Sequence, residues 1–162
     1  MSQNVFVYGT LMYPDVLKVL LNRVPTNSTA AIHGFRRYSI KGQVFPGVIQ
    51  STPESQVQGV LLKGLTPEDM VVFDEFEGDE YRKVAVTPQL PDGSTEEASV
   101  YIWQDSLRSY LYGEWDPEAF AATHLESYAE MCQRFIDELR EQQGKPQSRP
   151  LGFGGTSSSN SE

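Results

Sequence analysis

The sequence predicts a single α+β domain, and three patterns along the chain support this fold class. The chain opens with a short apolar strand, a glycine turn and a helix; extended segments fill its middle; and a long amphipathic helix follows. With 162 residues, of which 39% are apolar, the chain is long enough to enclose one core. We expect the domain to span residues 1–143. A disordered tail is expected over 144–162, which is poor in apolar residues and rich in glycine, serine and proline.

The charge and cysteine content narrow the class of protein. The chain has 13 basic and 22 acidic residues, giving a formal net charge of −9, and no segment concentrates the basic ones. This argues against binding to nucleic acid or to an anionic membrane. No apolar run approaches the roughly 20 residues that cross a bilayer. Because the single cysteine, Cys132, cannot form an internal disulfide and the first residues lack the pattern of a secretion signal, we expect a cytoplasmic protein.

The first element is a buried strand over residues 4–9. A helix with one apolar face begins near Pro14. The apolar face consists of Val16, Leu17, Leu20 and Leu21. A strand, a glycine turn and a helix start direct several backbone N–H groups toward one point, which suits an anion or a developing oxyanion. Many such turns only join a strand to a helix, so this turn alone does not decide between binding and connection.

Extended segments occupy residues 30–51 and 56–63. The first is interpreted as two strands joined by a turn at Gly42. Pro46 and Gly47 interrupt the second of these strands, which predicts an edge strand, a bulge or a close approach of another group to the backbone. We expect His33 to be a strand residue with a polar partner, because no serine nucleophile motif accompanies it.

Residues 73–83 end a short helix and begin a strand. The helix has Thr66 as a usable N-cap and Pro67 at its first position, and Gly78 ends it. Its apolar stripe consists of Met70, Phe73 and Phe76. Glu77 therefore lies near the helix C-terminus, where the macrodipole disfavours negative charge and should raise the pKa of a carboxyl group.

Five carboxylates crowd this acidic stretch: Asp74, Glu75, Glu77, Asp79 and Glu80. One interpretation is a solvated charged corner. The other is that Glu77, held at an apolar boundary, works as a general acid or base while the remaining four are solvated or support it. A calcium loop does not fit, because too few oxygen ligands alternate before the glycine.

Two strands and a long helix complete the predicted domain. Residues 80–89 and 98–104 flank a turn at 91–94 and predict a hairpin, in which Tyr101 and Trp103 line the core or a pocket. Asp116 caps one continuous helix that extends to about residue 142. His124 and Cys132 lie on its apolar stripe, and because nothing there lowers the thiol pKa we do not expect a nucleophile pair.

Tyr8-Gly9-Thr10-Leu11 at the first turn, combined with Glu77-Gly78 at a helix end, resembles the gamma-glutamyl cyclotransferase superfamily and, within it, the plant avirulence-induced branch. Segments 33–38, 45–47 and 124–132 are similar to that branch as well, so the likeness covers residues 4–141. The resemblance implies a mixed sheet curled into a small barrel with helices outside. It implies that Glu77 is the catalytic acid and base. It also implies that the gamma-glutamyl group is held by Tyr8, Gly9, Thr10, Leu11, Met12 and Tyr13. Lys83 departs from the family pattern, which has arginine there.

The chemistry that the resemblance implies needs no enzyme nucleophile, metal or cofactor. The α-amino group of a gamma-glutamyl compound attacks its own δ carbonyl, closes 5-oxoproline and releases an amine or amino acid. We therefore expect an enzyme with a small gamma-glutamyl substrate, and the branch name suggests a role in plant defence. The alternative is a non-catalytic module of the same fold that binds a small ligand or a partner. A glycosidase is disfavoured, because the acids of one helical turn cannot all face one cleft.

Overall fold

The computed structural model describes residues 2–144, which form an α+β domain. The strands are β1 Gln3–Val7, β2 Thr26–His33, β3 Phe35–Ile40, β4 Pro46–Gln50, β5 Gln56–Leu65, β6 Tyr81–Val86, β7 Ala98–Trp103 and β8 Leu111–Tyr112. The helices are α1 Pro14–Leu21, α2 Pro67–Glu77, α3 Pro117–Thr123 and α4 Leu125–Gln143. All but the first residue of the predicted tail lie outside the described residues. Within the described part, no helix is long and apolar enough to cross a membrane.

The strands form two sheets, so the predicted α+β fold with a mixed sheet is confirmed. The larger sheet has the order β2-β5-β1-β7-β6, in which β1 is antiparallel to β5 and parallel to β7. The smaller sheet has the order β4-β3-β8. The expected barrel is therefore divided between two sheets and is not one closed sheet. The division arises at Gly34, whose φ of 86° ends β2 and turns the chain out of the larger sheet.

Two predicted elements are each split in the structure. The turn at Gly42 joins β3 to β4 in an antiparallel pair as predicted, but the first of the two predicted strands is divided at Gly34 into β2 and β3. The prediction of one continuous C-terminal helix is wrong. His124, with φ of −121° and ψ of −12°, separates α3 from α4. This break accompanies the burial of both Phe120 and Tyr128, whose ring centroids lie 5.5 Å apart.

Apolar side chains cover both faces of the larger sheet, and β1 contributes to each because its residues alternate. Val5 and Val7 face the helices, while Phe6 and Tyr8 belong to the core on the opposite face. Core residues on the helix side include Leu17, Leu62, Phe73, Cys132 and Ile136. Core residues on the other side include Ile32, Val48, Leu61, Val100 and Ile102. Because β1 is the central strand of the larger sheet, the loop that follows it starts from the middle of that sheet, between the two cores.

The β6–β7 pairing confirms the predicted hairpin and β4 confirms the predicted edge strand. Tyr81 lies opposite Trp103 and Val86 opposite Ala98 in an antiparallel register. β4 begins at Pro46 and pairs only with β3 in the smaller sheet. Its backbone is also closely approached, since a Cβ on Gly47 would lie 3.1 Å from Cβ of Trp103.

Candidate active site

Helix α2 holds Glu77 in place because its start and its end are both fixed. Thr66 Oγ1 accepts a hydrogen bond from the Asp69 N–H at 3.1 Å, and Asp69 Oδ2 accepts one from the Thr66 N–H at 2.9 Å. Arg23 donates two hydrogen bonds to the same Asp69 carboxylate, at 3.0 and 2.6 Å. Gly78, with φ of 72°, ends the helix. Glu77 is thus the last helical residue, as predicted.

The Glu77 carboxyl lies in an environment that disfavours its charge. Burial, together with the nearby charges of Asp74 and Glu80, raises the pKa of Glu77 to about 8. No residue in the described range 2–144 forms a hydrogen bond with this carboxyl group. Glu77 is partly exposed as a whole residue. Near neutral pH this group can both take up and release a proton.

Four tyrosines from separate elements surround Glu77. Burial raises the pKa of each, and the negative charge of Glu77 raises it as well. They are Tyr8 after β1, Tyr81 in β6, Tyr101 in β7 and Tyr128 in α4. These four phenols stay protonated at the pH where Glu77 titrates. Among Glu77 and the four tyrosines, which we call the Glu77 cluster, only Glu77 therefore changes its charge near neutral pH.

Three of these phenols are fixed by hydrogen bonds to the protein. Tyr8 Oη donates to the Tyr101 carbonyl at 2.5 Å, and Tyr101 Oη donates to Asp74 Oδ1 at 2.6 Å. Tyr81 Oη donates to the Pro46 carbonyl at 2.8 Å. Two of these bonds join the end of β1 to β7 and β7 to α2, and the third joins β6 to β4. The tyrosines are therefore held by contacts between elements far apart in sequence.

The loop after β1 meets this cluster through Thr10. Its Oγ1 donates a long hydrogen bond of 3.4 Å to Tyr128 Oη. Gly9, Thr10 and Leu11 are buried, yet their backbone N–H groups have no hydrogen-bond acceptor among the described residues. Gly9 also lies against Pro46, where a Cβ would be 2.7 Å from two ring carbons, so only glycine fits. This loop therefore offers three backbone donors that have no acceptor among the described residues.

The side chains at the end of the predicted loop have packing roles. Leu11 is buried in the core on the helix side, and Met12 packs against the same core. Tyr13 Oη donates to the Pro117 carbonyl at 2.8 Å, and its ring lies 5.5 Å from that of Phe120. Of the six predicted substrate-binding residues, Tyr8 is one of the four tyrosines affected by the charge of Glu77, and Thr10 contacts another, Tyr128.

Lys83, which departs from the family pattern, contacts α2. Its Nζ lies 3.1 and 3.4 Å from the two carboxylate oxygens of Asp74. Asp74 therefore joins Lys83 to Tyr101 and acts on the Glu77 pKa by its charge. This is the supporting role that the sequence left open for the other acids. The remaining three, Glu75, Asp79 and Glu80, are exposed.

The sequence analysis did not identify a polar role for Tyr128, which accepts a hydrogen bond from Thr10. The residue lies on the apolar stripe of α4, and the only available signal was that a buried phenol usually needs a hydrogen-bond partner. Two other predictions are consistent with the structure. His33 lies in β2 with Nε2 3.0 Å from Gln89 Oε1, and burial raises the pKa of the Cys132 thiol to about 12. Within the described residues, no cluster of three or more metal-ligating side chains occurs.

Comparison with known proteins identifies the family of this chain. Residues 5–117 match the family described as "Gamma-glutamyl cyclotransferase, AIG2-like". The chain is 40% identical over 138 residues to "AIG2-like protein D" of Arabidopsis thaliana, covering 84% of this chain and 90% of that protein. A solution structure of another Arabidopsis thaliana protein has a TM-score of 0.64 and 32% identity, covering 90% of this chain and 95% of the other.

A solved structure described as a gamma-glutamyl cyclotransferase also has the same fold. Its TM-score is 0.56 at 15% identity, covering 88% of this chain and 99% of the other. At this identity the likeness concerns the fold alone. Together with the sequence match over residues 5–117, these similarities show that the chain belongs to the gamma-glutamyl cyclotransferase, AIG2-like family.

Proposed function

We propose that this protein is a gamma-glutamyl cyclotransferase, which converts a gamma-glutamyl amine or peptide into 5-oxoproline and a free amine or amino acid. Two observations support the proposal: Glu77 has a raised pKa, and the backbone N–H groups of Gly9 to Leu11 have no acceptor among the described residues. A proton acceptor with a pKa of about 8 and a set of oxyanion donors are what this reaction asks of a protein. Family membership supports the same conclusion.

In the first step, Glu77 in its ionised form takes a proton from the substrate's α-ammonium group. The freed amine then attacks the δ carbonyl carbon of the same molecule, forming a C–N bond and a tetrahedral oxyanion. A carboxyl with a pKa of about 8 is a far better match to an ammonium group than one of ordinary acidity. Holding the chain curled makes the attack effectively intramolecular, and tightly oriented reactions of this kind gain on the order of 7–11 kcal/mol.

In the second step, the intermediate collapses and the bond to the leaving nitrogen breaks. The N–H groups of Gly9, Thr10 and Leu11 would donate to the oxyanion, and losing one such donor costs roughly 3 kcal/mol. Glu77 gives the proton that it took to the departing nitrogen, which leaves as a neutral amine. The carboxylate then takes the second proton from the ring nitrogen of the new lactam and passes it to the released amine, which leaves as an ammonium ion. The proton balance is thus closed without water, and the enzyme ends in its starting state.

The expected partner is a small gamma-glutamyl molecule, and we infer neither nucleic acid nor membrane as a partner. The net charge of −9 opposes both of these polyanionic surfaces. The one cysteine, Cys132, is buried and unpaired in the described structure, which is compatible with a reducing compartment such as the cytoplasm.

The test is a substrate panel followed by mass detection of 5-oxoproline. Gamma-glutamyl amines, gamma-glutamyl dipeptides and glutathione are each incubated with the wild type, with Glu77→Gln and with Glu75→Gln. Glu75 is an exposed carboxylate on the same helix and therefore provides a matched control. We expect product from the wild type and from Glu75→Gln but not from Glu77→Gln. No product from any substrate with the wild type would instead favour the non-catalytic binding module.

A further inference from the structure

Arg37 connects the smaller sheet to the loop that follows β1. Its Nη1 donates to the Tyr8 carbonyl at 2.7 Å and, more weakly, to the Gln58 carbonyl at 3.4 Å. The guanidinium carbon lies 5.4 Å from the centre of the Trp115 ring, and Trp115 is itself fixed by donating to the Val44 carbonyl at 2.8 Å. Arg37 is thus a partly buried side chain with a defined orientation.

An ion pair does not explain this arginine. No carboxylate in the described part of the chain comes within 4.0 Å of its guanidinium. Burial lowers the pKa of Arg37, which the nearby phenols of Tyr13 and Tyr8 and the carboxylate of Glu114 partly offset. Placing a cation in a partly buried position without a counterion costs free energy, so its short contact with the Tyr8 carbonyl calls for an explanation.

The geometry of the peptide unit supplies that explanation. In a planar trans peptide the carbonyl and the next N–H point in opposite directions. The Tyr8 carbonyl and the Gly9 N–H belong to the same peptide, which is trans. With the carbonyl held by Arg37, the Gly9 N–H must point away from Arg37. That N–H is one of the three donors without an acceptor in the described structure.

We propose that Arg37 is a positioning residue that holds the peptide between Tyr8 and Gly9 with its N–H directed at the substrate oxyanion. The inference rests on the proposed function and extends it, because it assigns the orientation of one donor to a residue outside the loop. A charge-assisted hydrogen bond to the carbonyl also polarises the peptide, which makes the N–H a stronger donor. Arg37 acts only through this peptide and touches no reacting atom.

The kinetic test compares Arg37→Gln with Arg36→Gln. Arg36 is the adjacent strand residue; it stacks on Tyr38 at 5.1 Å and lies 3.9 Å from the exposed Glu114 carboxylate, so its removal changes the net charge equally. We expect Arg37→Gln to lower kcat about 100-fold with KM within about threefold, as for loss of a donor used in the transition state. Arg36→Gln should leave both constants within about twofold. Arg37→Lys, which keeps a cationic donor, should recover part of kcat.

A second readout is independent of activity and of the proposed function. The amide ¹⁵N of Gly9 reports on the hydrogen bond to the preceding carbonyl, so Arg37→Gln should shift or broaden the Gly9 resonance in the ligand-free protein. Arg36→Gln should leave it unchanged. This comparison holds even if the wild type forms no 5-oxoproline, in which case the proposed function fails while the positioning claim is still decided.

Three results would overturn the inference. The first is equal kinetics for Arg37→Gln and Arg36→Gln. The second is a rise in KM with unchanged kcat in Arg37→Gln, which would indicate direct contact with the substrate. The third is an unaltered Gly9 resonance in a folded Arg37→Gln protein, with folding judged by the dispersion of its remaining amide signals.

Discussion

The carboxyl groups at the two ends of helix α2 have pKa values shifted in opposite directions. At the start, Asp69 is buried, but hydrogen bonds from Arg23 and Thr66 outweigh that burial and hold its pKa below the usual range. At the end, Glu77 has no hydrogen-bond partner in the described structure, and burial raises its pKa to about 8. The helix dipole favours the first carboxylate and opposes the second.

This difference separates a stabilising carboxylate from a chemically useful one. The start of α2 follows every local rule for a helix N-terminus: a capping box, a proline at the first position and a paired acid. The end breaks these rules, with acids where a cation would be favoured. Proteins commonly violate local preferences at functional sites and compensate elsewhere. The Arg23–Asp69 pair is one source of that compensation.

The largest expected effect is on catalysis at the end of the helix. Glu77→Gln should lower kcat/KM by about 10²–10⁴-fold, because general acid–base groups contribute on this scale. Its free energy of unfolding should match that of the wild type only below about pH 4.3, where the carboxyl is protonated in both the native and the unfolded state. The measurements are steady-state kinetics and denaturant unfolding. A variant that keeps full activity but unfolds more easily would reverse the roles of the two helix ends.

The next effect is on stability at the start of the helix. Asp69→Ala removes the cap partner and leaves Arg23 without its carboxylate, and we expect a loss of about 2 kcal/mol. For a domain of this size that corresponds to roughly 4–8 °C in Tm. The turnover of the folded fraction should stay within about twofold. A large loss of kcat with unchanged Tm would show that Asp69 serves the site directly.

The two carboxylates should also give stability opposite pH dependences. Unfolded Glu77 loses its proton near pH 4.3, whereas the native carboxyl keeps it to about pH 8; its contribution is therefore lost as the pH rises through that window. The lowered pKa of native Asp69 gives a contribution to stability that is present above about pH 4 and is lost as the pH falls.

Urea unfolding of the variants tests these two pH dependences. The free energy of unfolding of Glu77→Gln should exceed that of the wild type by more at pH 8 than at pH 5. For Asp69→Asn the deficit should shrink below about pH 4. Parallel curves for both variants would contradict this assignment.

The smallest expected effect concerns Asp74, which lies between Asp69 and Glu77 in α2. Asp74 lies one turn before Glu77, and its charge raises the Glu77 pKa. Asp74→Asn should therefore move the acidic limb of the kcat/KM profile to lower pH by a fraction of a unit, with the plateau rate reduced less than in Glu77→Gln. Glu75→Gln is the control. A shift to higher pH would mean that Asp74 supports ionisation of Glu77 through the Tyr101 contact instead.

Local sequence signals were sufficient to predict the helix end that carries Glu77 and the glycine turn at Gly9. Thr66, Pro67 and Gly78 bound α2 through capping chemistry that depends only on near neighbours, so the position of Glu77 at a helix end followed from sequence. The glycine turn at Gly9 was visible for the same reason. The resemblance to a family then related the two segments, although the chain itself carries no local pattern that joins them.

The remaining features depend on contacts distant in sequence. Tyr101 reaches the site because β7 lies parallel beside β1, and Tyr128 because α3 and α4 separate at His124, a residue that gives no helix-breaking signal. Arg37 meets Tyr8 only after the chain leaves the larger sheet at Gly34. A sequence pattern records helix and strand periods but not which elements pack together, so the burial that raises the Glu77 pKa could not be predicted in size.

The most direct test is the titration of Glu77 itself by ¹³C NMR of the glutamate side-chain carboxyl carbons, with Glu77→Gln used to assign the resonance. We expect a midpoint near pH 8 for Glu77. The ordinary value for a glutamate side chain is about 4.3. A Glu77 midpoint near that ordinary value would contradict the claim that its surroundings make it the acid and base of the site.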